Sequence, residues 1–404
     1  MSNVAEPFAP SEEGVSAPSK LRLLPRPVEV APAEVHPTNQ GVLPTFLVGL
    51  VFCLTAMLWD LLVSREFSLI PISPFCFLGF LIAEFLLTER WFRKADAQSS
   101  ALGQKVTQTE VALLEAAEAY RRFVPEQFLR HLERRSISQV RLGDQVALGM
   151  TVMFADIRNY TAMSEHLTPE ENFSLLNSYF GHIGPVIREQ FGFVDKYIGD
   201  AIMALFDGPV DEAIAAAVGI QLATAEYNRS RSDYGPGPIH IGVGLHAGPL
   251  MLGVIGELDR MESTVLADAV NLASRIESLT KYYDCKILLT RTTFEAQTDP
   301  MPYETRPVDL VRVKGRSQAV ELLEILDVRF DPRARLKIEL AAHLAEALIV
   351  YRSGDLIEAR SLFQRLAYRD PEDILYGIYR RRIDEMIRMG IPDGWTGINE
   401  FAFK

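Results

Sequence analysis

Cysteine is scarce in this 404-residue sequence, and a surplus of basic residues is absent. The three cysteines, Cys53, Cys76 and Cys285, have neither the spacing of metal ligands nor that of a disulfide framework, which favours a reducing compartment. Lysine and arginine together number 41 against 53 aspartates and glutamates, so the net charge is −12. Nucleic-acid-binding proteins usually present a basic field, and we therefore expect no nucleic-acid partner.

Residues 1–40 lack hydrophobic periodicity and have few bulky apolar side chains, being rich in proline, alanine, glutamate and valine. Such a segment buries too little apolar surface to offset the entropy cost of ordering. We therefore predict a disordered N-terminal tail. No short apolar core follows a basic start, so a secretory signal peptide is not expected.

Two apolar runs without charge follow the tail. Residues 41–59 and 67–83 contain no charged side chain, and each run continues beyond a single acidic residue. Each is about long enough to cross the ~30 Å hydrocarbon layer, so we predict two transmembrane helices within residues 41–88. Flanking basic residues place both ends in the cytoplasm, beneath a plasma membrane. Pro71 and Pro74 should kink or shorten the second span, and two buried core helices are the alternative.

The next segment, residues 89–125, places apolar or small side chains at alternating spacings of four and three. This spacing is typical of a coiled-coil seam. We predict a parallel two-stranded coil that joins two copies of the chain, the alternative being an amphipathic helix packed on its own domain. The seam positions are Leu102, Val106, Thr109, Leu113, Ala116, Tyr120 and Phe123.

A buried strand runs directly into a carboxylate near the middle of the sequence. Residues 151–155 are mostly β-favouring and apolar on both faces, as in a central strand covered by helices, and Asp156 follows them. Thr161 can cap the next helix. In this arrangement Asp156 could bind a cation, and the backbone N–H groups of the loop could bind phosphate oxygens. The alternative is an ordinary strand-end aspartate that caps a turn.

A second carboxylate is predicted at the tip of a β-hairpin. Two apolar runs within residues 193–206 flank Gly199 and Asp200, which form a two-residue turn signal. The hairpin would lift Asp200 to the edge of the sheet, where it can face Asp156. Paired carboxylates on adjacent strand ends are how two Mg²⁺ ions are held for phosphoryl transfer.

Three motifs, in order along the chain, resemble those of class III nucleotide cyclases. They are residues 154–158 (Phe-Ala-Asp-Ile-Arg), 196–201 (Lys-Tyr-Ile-Gly-Asp-Ala) and 268–275 (Asp-Ala-Val-Asn-Leu-Ala-Ser-Arg). The resemblance covers about half of the chain, roughly residues 146–328. It implies an α+β fold with a ferredoxin-like palm in a catalytic domain of residues 126–328.

The resemblance also implies a role for each site residue. Asp156, Ile157 and Asp200 form the metal set, and two Mg²⁺ or Mn²⁺ ions would activate the ribose 3′-hydroxyl and neutralise the triphosphate. Asn271 and Arg275 lie four residues apart on one helix face and would orient the ribose and stabilise transition-state charge. The product would be a cyclic 3′,5′-nucleotide.

Four further residues are expected to bind the nucleotide. Adenylate cyclases of this family read adenine with a lysine plus an aspartate or threonine, and Lys196 and Thr264 match that pair. A lysine can donate to adenine N1, and a threonine hydroxyl can share a hydrogen bond with the exocyclic amine. The substrate is therefore expected to be ATP, with guanylate cyclase as a less favoured alternative. Thr161 and Lys314 complete the substrate contacts, Lys314 at the phosphates.

In this family the metal aspartates come from one subunit and the lysine, threonine, asparagine and arginine from the other. The resemblance therefore implies a homodimer with two shared sites. Two departures from the usual motifs stand out: Asn159 replaces a frequent glycine, and Leu266-Ala267 replaces an isoleucine–glycine pair. Asparagine tolerates left-handed backbone geometry, so the first departure is mild.

The C-terminal residues 329–404 are predicted to form a small helical extension docked on the catalytic domain. Ala359, Phe363 and Pro371 match the spacing of a single tetratricopeptide-like repeat. A catalytically silent membrane signalling module is the rival function, and the intact set of motif residues argues against it. A diguanylate cyclase would need a Gly-Gly-Asp/Glu-Glu-Phe hairpin, which residues 197–201 do not supply.

Overall fold

The structure, a computed structural model, describes residues 42–64, 73–231, 237–299, 303–313, 318–392 and 394–401. The chain divides into two compact units, Met1–Leu113 and Leu114–Lys404. The predicted disordered tail and the start of the second apolar run lie outside the described residues, as does Lys314.

The first unit is helical. Helix α1 (Val42–Trp59) passes into a π-helical turn (Asp60–Ser64), and helix α2 begins at Ser73 and ends at Arg121. The ring of Phe80 lies against the backbone of Gly49, so α1 and α2 are in contact there. Within the described part of the chain, no helix combines the length and the apolar character needed to cross a membrane.

Helix α2 is continuous over 49 residues, where the sequence suggested a second span followed by a separate linker helix. Of the two predicted effects of Pro74, a kink or a shorter span, the kink does not occur, because Pro74 lies in the first turn of α2, where the missing N–H has no helical partner to lose. Pro71 lies outside the described residues. The large apolar side chains of the predicted seam are all exposed: Leu102, Val106, Leu113, Tyr120 and Phe123.

The second unit is built on a nine-stranded mixed sheet. Its strands are β1 (Gln145–Ile157), β2 (Phe193–Ile198), β3 (Ala201–Phe206), β4 (Ile241–Glu257), β5 (Arg260–Leu266), β6 (Ile287–Thr290), β7 (Glu304–Val313), β8 (Val320–Leu326) and β9 (Asn399–Phe401). The order is β2-β3-β1-β4-β6-β8-β7-β9, with β5 pairing separately to β4. The first four strands are antiparallel in the order β4-β1-β3-β2, which confirms the predicted α+β, ferredoxin-like palm.

Helices cover both faces of this sheet. They are α3 (Glu126–His131), α4 (Tyr160–Ser164), α5 (Pro169–Glu189), α6 (Val210–Ser230), α7 (Asp268–Tyr283) and α8 (Arg291–Glu295). Helices α5 and α6 pack on one face through a large apolar core. A capping box begins α5, because the Thr168 backbone N–H donates to Glu171 at 2.8 Å and the Glu171 N–H donates to the Thr168 hydroxyl at 3.2 Å.

Helix α7 packs on the other face, where two glycines of β4 allow it to approach closely. A Cβ atom on Gly244 would lie 2.3 Å from the backbone nitrogen of Glu277, and one on Gly242 would lie 2.0 Å from the Thr280 hydroxyl. A larger residue at Gly244 would require the helix backbone to move, and one at Gly242 would require the Thr280 side chain to move. The Gly-x-Gly spacing therefore fixes the depth at which α7 sits on the sheet.

Strand β4 is continuous, although its sequence shows two apolar stretches, residues 239–246 and 250–255, separated by Gly248 and Pro249. It runs unbroken for 17 residues and pairs with β1 along the whole length of β1. Pro249 lies beyond the stretch that pairs with β6 and before the stretch that pairs with β5. One side of β4 is an edge at that point, where proline is tolerated within a strand.

The C-terminal residues form helices α9 (Ala334–Ser353), α10 (Leu356–Arg369) and α11 (Ile374–Met389). They share an apolar core with the back of α7, so the segment is helical and docked on the sheet domain, as the sequence predicted. Ala359 and Phe363 are buried in that core, while the tetratricopeptide-like character stays a prediction. Strand β9 was not predicted, and it pairs in parallel with β7.

A buried ionic network ties this segment to the sheet. Arg306 on β7 donates to Glu324 on β8 at 2.6 Å and also to Asp373, the residue that caps α11. Lys337 on α9 lies 2.9 Å from both Glu324 and Asp331. Because all five side chains are buried, removing one partner would leave an uncompensated charge inside the protein.

Candidate active site

The structure brings the two predicted metal carboxylates together. Asp156 is the penultimate residue of β1 and pairs with Gly242 of β4, while Asp200 follows Gly199 in the turn between β2 and β3. Gly199 has a φ of +64°, which the tight turn requires. The Asp156 and Asp200 side chains share a hydrogen bond, and burial together with this neighbour raises the pKa of Asp156 to about 7.

A third carboxylate lies beside this pair, and the sequence analysis missed it. Glu277 of α7 packs over Gly242, the β4 partner of Asp156, and a Cβ on that glycine would lie 3.0 Å from the carboxylate. Burial, and then the negative charges of Asp156 and Asp200, raise the pKa of Glu277 to about 8. The Gly-x-Gly pattern of β4 was the available sequence signal, since it indicates close approach by another element.

The Asp156–Asp200 pair fits a divalent cation. Burial, and then the hydrogen bond and negative charge of Asp200, favour the protonated form of Asp156, and a cation between the two carboxylates would offset both effects. Mg²⁺ is commonly bound by one or two carboxylates plus substrate phosphates and water. Among the described residues no group of three or more histidine, cysteine, aspartate or glutamate side chains is arranged to hold a metal by itself. The donor set therefore suits a metal that arrives with a phosphorylated ligand.

The loop after Asp156 differs from its prediction at Thr161. The residue that caps helix α4 is Asn159, in the left-handed conformation with a φ of +57°, and it makes no side-chain capping hydrogen bond. Thr161 is exposed within the helix, so its predicted capping role is wrong. Asparagine adopts this geometry more readily than most residues, which explains how Asn159 replaces glycine here.

Arg158 connects the same loop to the C-terminal end of α7. Its guanidinium donates to Asp284 at 2.8 Å and to the Thr280 carbonyl at 2.9 Å, and it also contacts the Cys285 carbonyl. These are the carbonyls and cap of a helix terminus, where a positive charge is favourable. The sequence analysis quoted Arg158 in its motif without giving it a role.

Lys196 and Thr264 also come together in one chain. The Lys196 Nζ atom lies 3.4 Å from the Thr264 hydroxyl and 3.4 Å from Glu262, a neighbour that the sequence analysis did not single out. Thr264 is buried on β5. The pairing of β2 with β3 shifts register between Val194 and Lys196, and a bulge of this kind re-aims the side chains around it.

Asn271 and Arg275 lie on α7, as predicted, one turn apart on the same face. That face points away from the apolar core, since Asn271 is exposed and Arg275 is half-buried. The neighbouring face of α7, about a quarter turn away, carries Leu272, Ile276 and Leu279 and is fully buried. The two side chains are therefore presented outward from a helix that is fixed from behind.

A cavity of about 540 Å³ lies next to the Asp156 loop and is lined by Arg158, Asn159, Met163, His240 and Lys286, among others. None of the predicted site residues that the structure describes lines it. Burial and repulsion by Lys286 and Arg158 lower the pKa of His240. This cavity is therefore separate from the paired side chains of the candidate site.

Comparisons with known proteins agree with this geometry. The profile of the adenylate and guanylate cyclase catalytic domain matches residues 144–324. An adenylate cyclase of Anabaena cylindrica is 42% identical over 219 residues, covering 53% of this chain and 44% of the relative. The terminal-differentiation specific adenylate cyclase of Dictyostelium discoideum is 34% identical over 271 residues, covering 66% of this chain and 13% of that one.

Among solved structures, a bacterial light-regulated adenylyl cyclase is 22% identical, with 55% of this chain and 64% of that chain covered and a TM-score of 0.48. The chain spans less than half the length of the two curated relatives. Residues 144–324 therefore contain an adenylate and guanylate cyclase catalytic domain.

Proposed function

We propose that the protein is an adenylate cyclase that converts ATP to 3′,5′-cyclic AMP and pyrophosphate. The observation that carries the proposal is the pairing, within one family domain, of Asp156 with Asp200 and of Lys196 with Thr264. The first pair has the chemistry to bind a metal–phosphate group. The second pair has the chemistry to read a purine base.

Divalent cations at Asp156 and Asp200, Mg²⁺ or Mn²⁺, would lower the pKa of the ribose 3′-hydroxyl and neutralise charge on the triphosphate. With Ile157 beside it, Asp156 supplies the rigid end of this site, because β1 is paired on both sides. Asp200 supplies the second carboxylate of the site, from the turn between β2 and β3. Attack of the 3′-oxygen on the α-phosphorus forms the cyclic ester as the bond to the pyrophosphate oxygen breaks, and Arg275 stabilises the charge that develops while Asn271 orients the ribose.

Selectivity for ATP follows from the donors and acceptors at the base. The Lys196 ammonium can donate to adenine N1, and the Thr264 hydroxyl can accept from the exocyclic amine. Guanine carries a proton at N1 and a carbonyl in place of that amine, so it would leave two donors facing each other. An unpaired buried donor weakens binding by about 1–3 kcal/mol.

The working form is proposed to be a homodimer with shared sites. Asn271 is exposed and faces away from its own core, which leaves it accessible to a nucleotide held by another subunit. The large apolar residues at the heptad positions of α2 are exposed as well, and a second α2 could cover them. Joining two copies in this way raises the effective concentration of the catalytic domains.

The first test is to incubate the purified full-length chain with ATP or GTP and either Mg²⁺ or Mn²⁺, and to quantify cyclic nucleotides by mass spectrometry. Cyclic AMP from ATP is expected, and Asp156→Ala should abolish it. Asp259→Ala, in the exposed turn between β4 and β5, is the matched control and should keep full activity. No product from either nucleotide, with a dimer established, would sink the proposal and favour a silent signalling module.

A mixing experiment tests the shared site. Asp156→Ala removes a metal ligand from one half of each site, and Arg275→Ala removes a phosphate-stabilising group from the other half. Each variant alone should be inactive. In a heterodimer one of the two sites keeps both residues, so mixing should restore at most about half of wild-type activity per dimer. Absence of rescue in verified heterodimers would rule out the shared arrangement.

We also propose that the chain is attached to a lipid bilayer through its N-terminal apolar segments. The support is the sequence of residues 41–59 and 67–83, which contains no charge, and the many large apolar side chains exposed on α1. Membranes prepared from expressing cells should retain the protein after washing at pH 11 in carbonate. Release by that wash would exclude integral attachment.

A further inference from the structure

Arg382 of α11 occupies an unusual position at the end of the helix that carries Asn271 and Arg275. Its guanidinium lies 5.2–6.0 Å from the centres of four aromatic rings, those of Tyr282, Tyr283, Tyr379 and Phe401. Two of these rings belong to the last turn of α7. A guanidinium stacks favourably on aromatic faces. The four rings, which we call the aromatic cage, therefore hold Arg382 and α7 together.

The cage is closed by hydrogen bonds to one buried carboxylate. Arg382 donates to Asp309 of β7 at 2.8 Å, and the Tyr283 hydroxyl donates to the same oxygen. The other oxygen of Asp309 accepts from the Asn399 side chain at 2.8 Å. Asp309 is 1% exposed, so these donors replace the water that an ionised carboxylate would otherwise require.

The back of α7 shows the same dependence on the C-terminal helices. Leu272, Ile276, Leu279 and Tyr283 form one stripe of α7, and they share a core with residues of α9, α10 and α11. Asn271 and Arg275 lie on the adjacent stripe, about a quarter turn around the helix. The outward face of α7 thus takes its position from contacts on its inward face, and the last contact along the helix is the one to Arg382.

Building on the proposed cyclase activity, we propose that Arg382 is a positioning residue for the reaction. It sets the axial position of α7, and so the placement of Asn271 and Arg275 at the reacting phosphate, without touching the nucleotide. The metal carboxylates Asp156 and Asp200 lie on β1 and on the β2–β3 turn, and Lys196 and Thr264 on β2 and β5, so strands of the sheet hold all four. The Asp156 loop also reaches the end of α7 through Arg158, which donates to Thr280 and Asp284 rather than to the rings around Arg382. Loss of Arg382 should therefore slow the chemical step more than it weakens nucleotide binding.

The experiment compares Arg382→Met and Arg382→Lys with Arg381→Met in the full-length chain. Arg381 is the neighbouring arginine on the exposed side of α11, so its substitution matches the change of charge without entering the cage. For Arg382→Met we expect kcat to fall about tenfold per nucleotide-binding site, because displacements of about 1 Å cost up to 100-fold. The KM for ATP should stay within about twofold, as base and metal contacts persist.

Arg382→Lys keeps the positive charge but loses the planar guanidinium. Its kcat should therefore lie between those of the wild type and Arg382→Met. Counting sites by binding of a non-reactive ATP analogue separates a true loss of kcat from a loss of folded protein. An unchanged kcat per site, or a KM that rises as much as kcat falls, would overturn the positioning role. Because Arg382→Lys retains most of the packing, it decides the matter if Arg382→Met does not fold.

Hydrogen exchange supplies a readout that does not depend on catalysis. Amide exchange within residues 268–283 should accelerate in Arg382→Met, while exchange in β1 should stay at the wild-type rate. Equal exchange in α7 of the wild type and the variant would refute the proposal. If the wild-type chain makes no cyclic nucleotide but α7 still loosens, the cyclase assignment fails while the mechanical link from Arg382 to α7 stands.

Discussion

Replacing Asp200 by asparagine should abolish activity and yet stabilise the metal-free protein at alkaline pH. In the wild type, burial and the adjacent Asp200 raise the pKa of Asp156 to about 7, which means that the fold favours the protonated form of Asp156. A raised carboxyl pKa contributes stability that is complete below the unfolded pKa of about 4. That stability is lost as pH rises through about 7, because the two carboxylates are then both charged and repel each other.

The size of the gain in stability of Asp200→Asn follows from the raised pKa of Asp156. Burial is the first cause of the raised pKa of Asp156, and the hydrogen bond and the negative charge of Asp200 come next, so removing the Asp200 charge removes part of the rise. A change of one unit in a pKa corresponds to about 1.4 kcal/mol, which sets the order of magnitude of this effect. Asp156 is only half-buried, and solvent screening reduces this to about 1 kcal/mol. For a domain of this size, about 1 kcal/mol raises the Tm by about 2 °C.

Thermal unfolding of the purified full-length chain in EDTA, followed by near-ultraviolet circular dichroism, checks this. Asp200→Asn should unfold about 2 °C above wild type at pH 8 and at the same temperature as wild type at pH 5. Asp259→Asn, an exposed control with the same change in charge, should show no pH-dependent rise in Tm. Millimolar Mg²⁺ should stabilise the wild type and leave Asp200→Asn unchanged. A Tm for Asp200→Asn below wild type at pH 8 would refute this account of the pair.

Three further predictions concern packing, the buried network and the base site. Gly244→Ala should cost about 1–3 kcal/mol in urea unfolding, because its Cβ would lie 2.3 Å from the α7 backbone, whereas Gly181→Ala, with open space around it, should be neutral or slightly stabilising. Arg306→Met should lower the free energy of unfolding by about 3–5 kcal/mol in the same assay, because the buried carboxylates of Glu324 and Asp373 lose their partner. A loss below about 1 kcal/mol would show that these carboxylates are not charged. Lys196→Met should raise the KM for ATP about tenfold in initial-rate assays, and an unchanged KM would remove Lys196 from the base site.

The elements that could be predicted from sequence are those with a local signal. Gly199 and Asp200 form a turn whose geometry only a few residue pairs accept, and Thr168 with Glu171 forms a reciprocal cap. In both cases the interaction is complete within four residues. Neighbours in the fold add little to it, and so the prediction survives in the structure.

Other features depend on parts of the chain that are distant in sequence. Strand β4 looks interrupted because Gly248 and Pro249 are turn-type residues, and only the pairing with β1 keeps the strand continuous there. Strand β9 has three residues and no pattern of its own, so only its pairing with β7 defines it. No window of local sequence contains that information.

The candidate site also contains residues that local sequence identifies and one residue whose position depends on distant parts of the chain. The motif residues and the order of the motifs identify Asp156 and Asp200, but the burial of Glu277 beside them depends on how closely α7 meets β4. Glu277 is an ordinary helical glutamate by sequence. Its raised pKa arises from two glycines more than 30 positions away, at Gly242 and Gly244.

The dependence of α7 on α11 and β9 also has a consequence for the order of events during synthesis. Residues 268–283, which carry Asn271 and Arg275, leave the ribosome roughly 100 residues before their cage around Arg382 and Phe401 can close. Domains fold from the N-terminus as they emerge, so the palm can form while α7 still lacks its final anchor. The capacity to make a second messenger would then be acquired late, and nascent chains would stay silent while they are still being made.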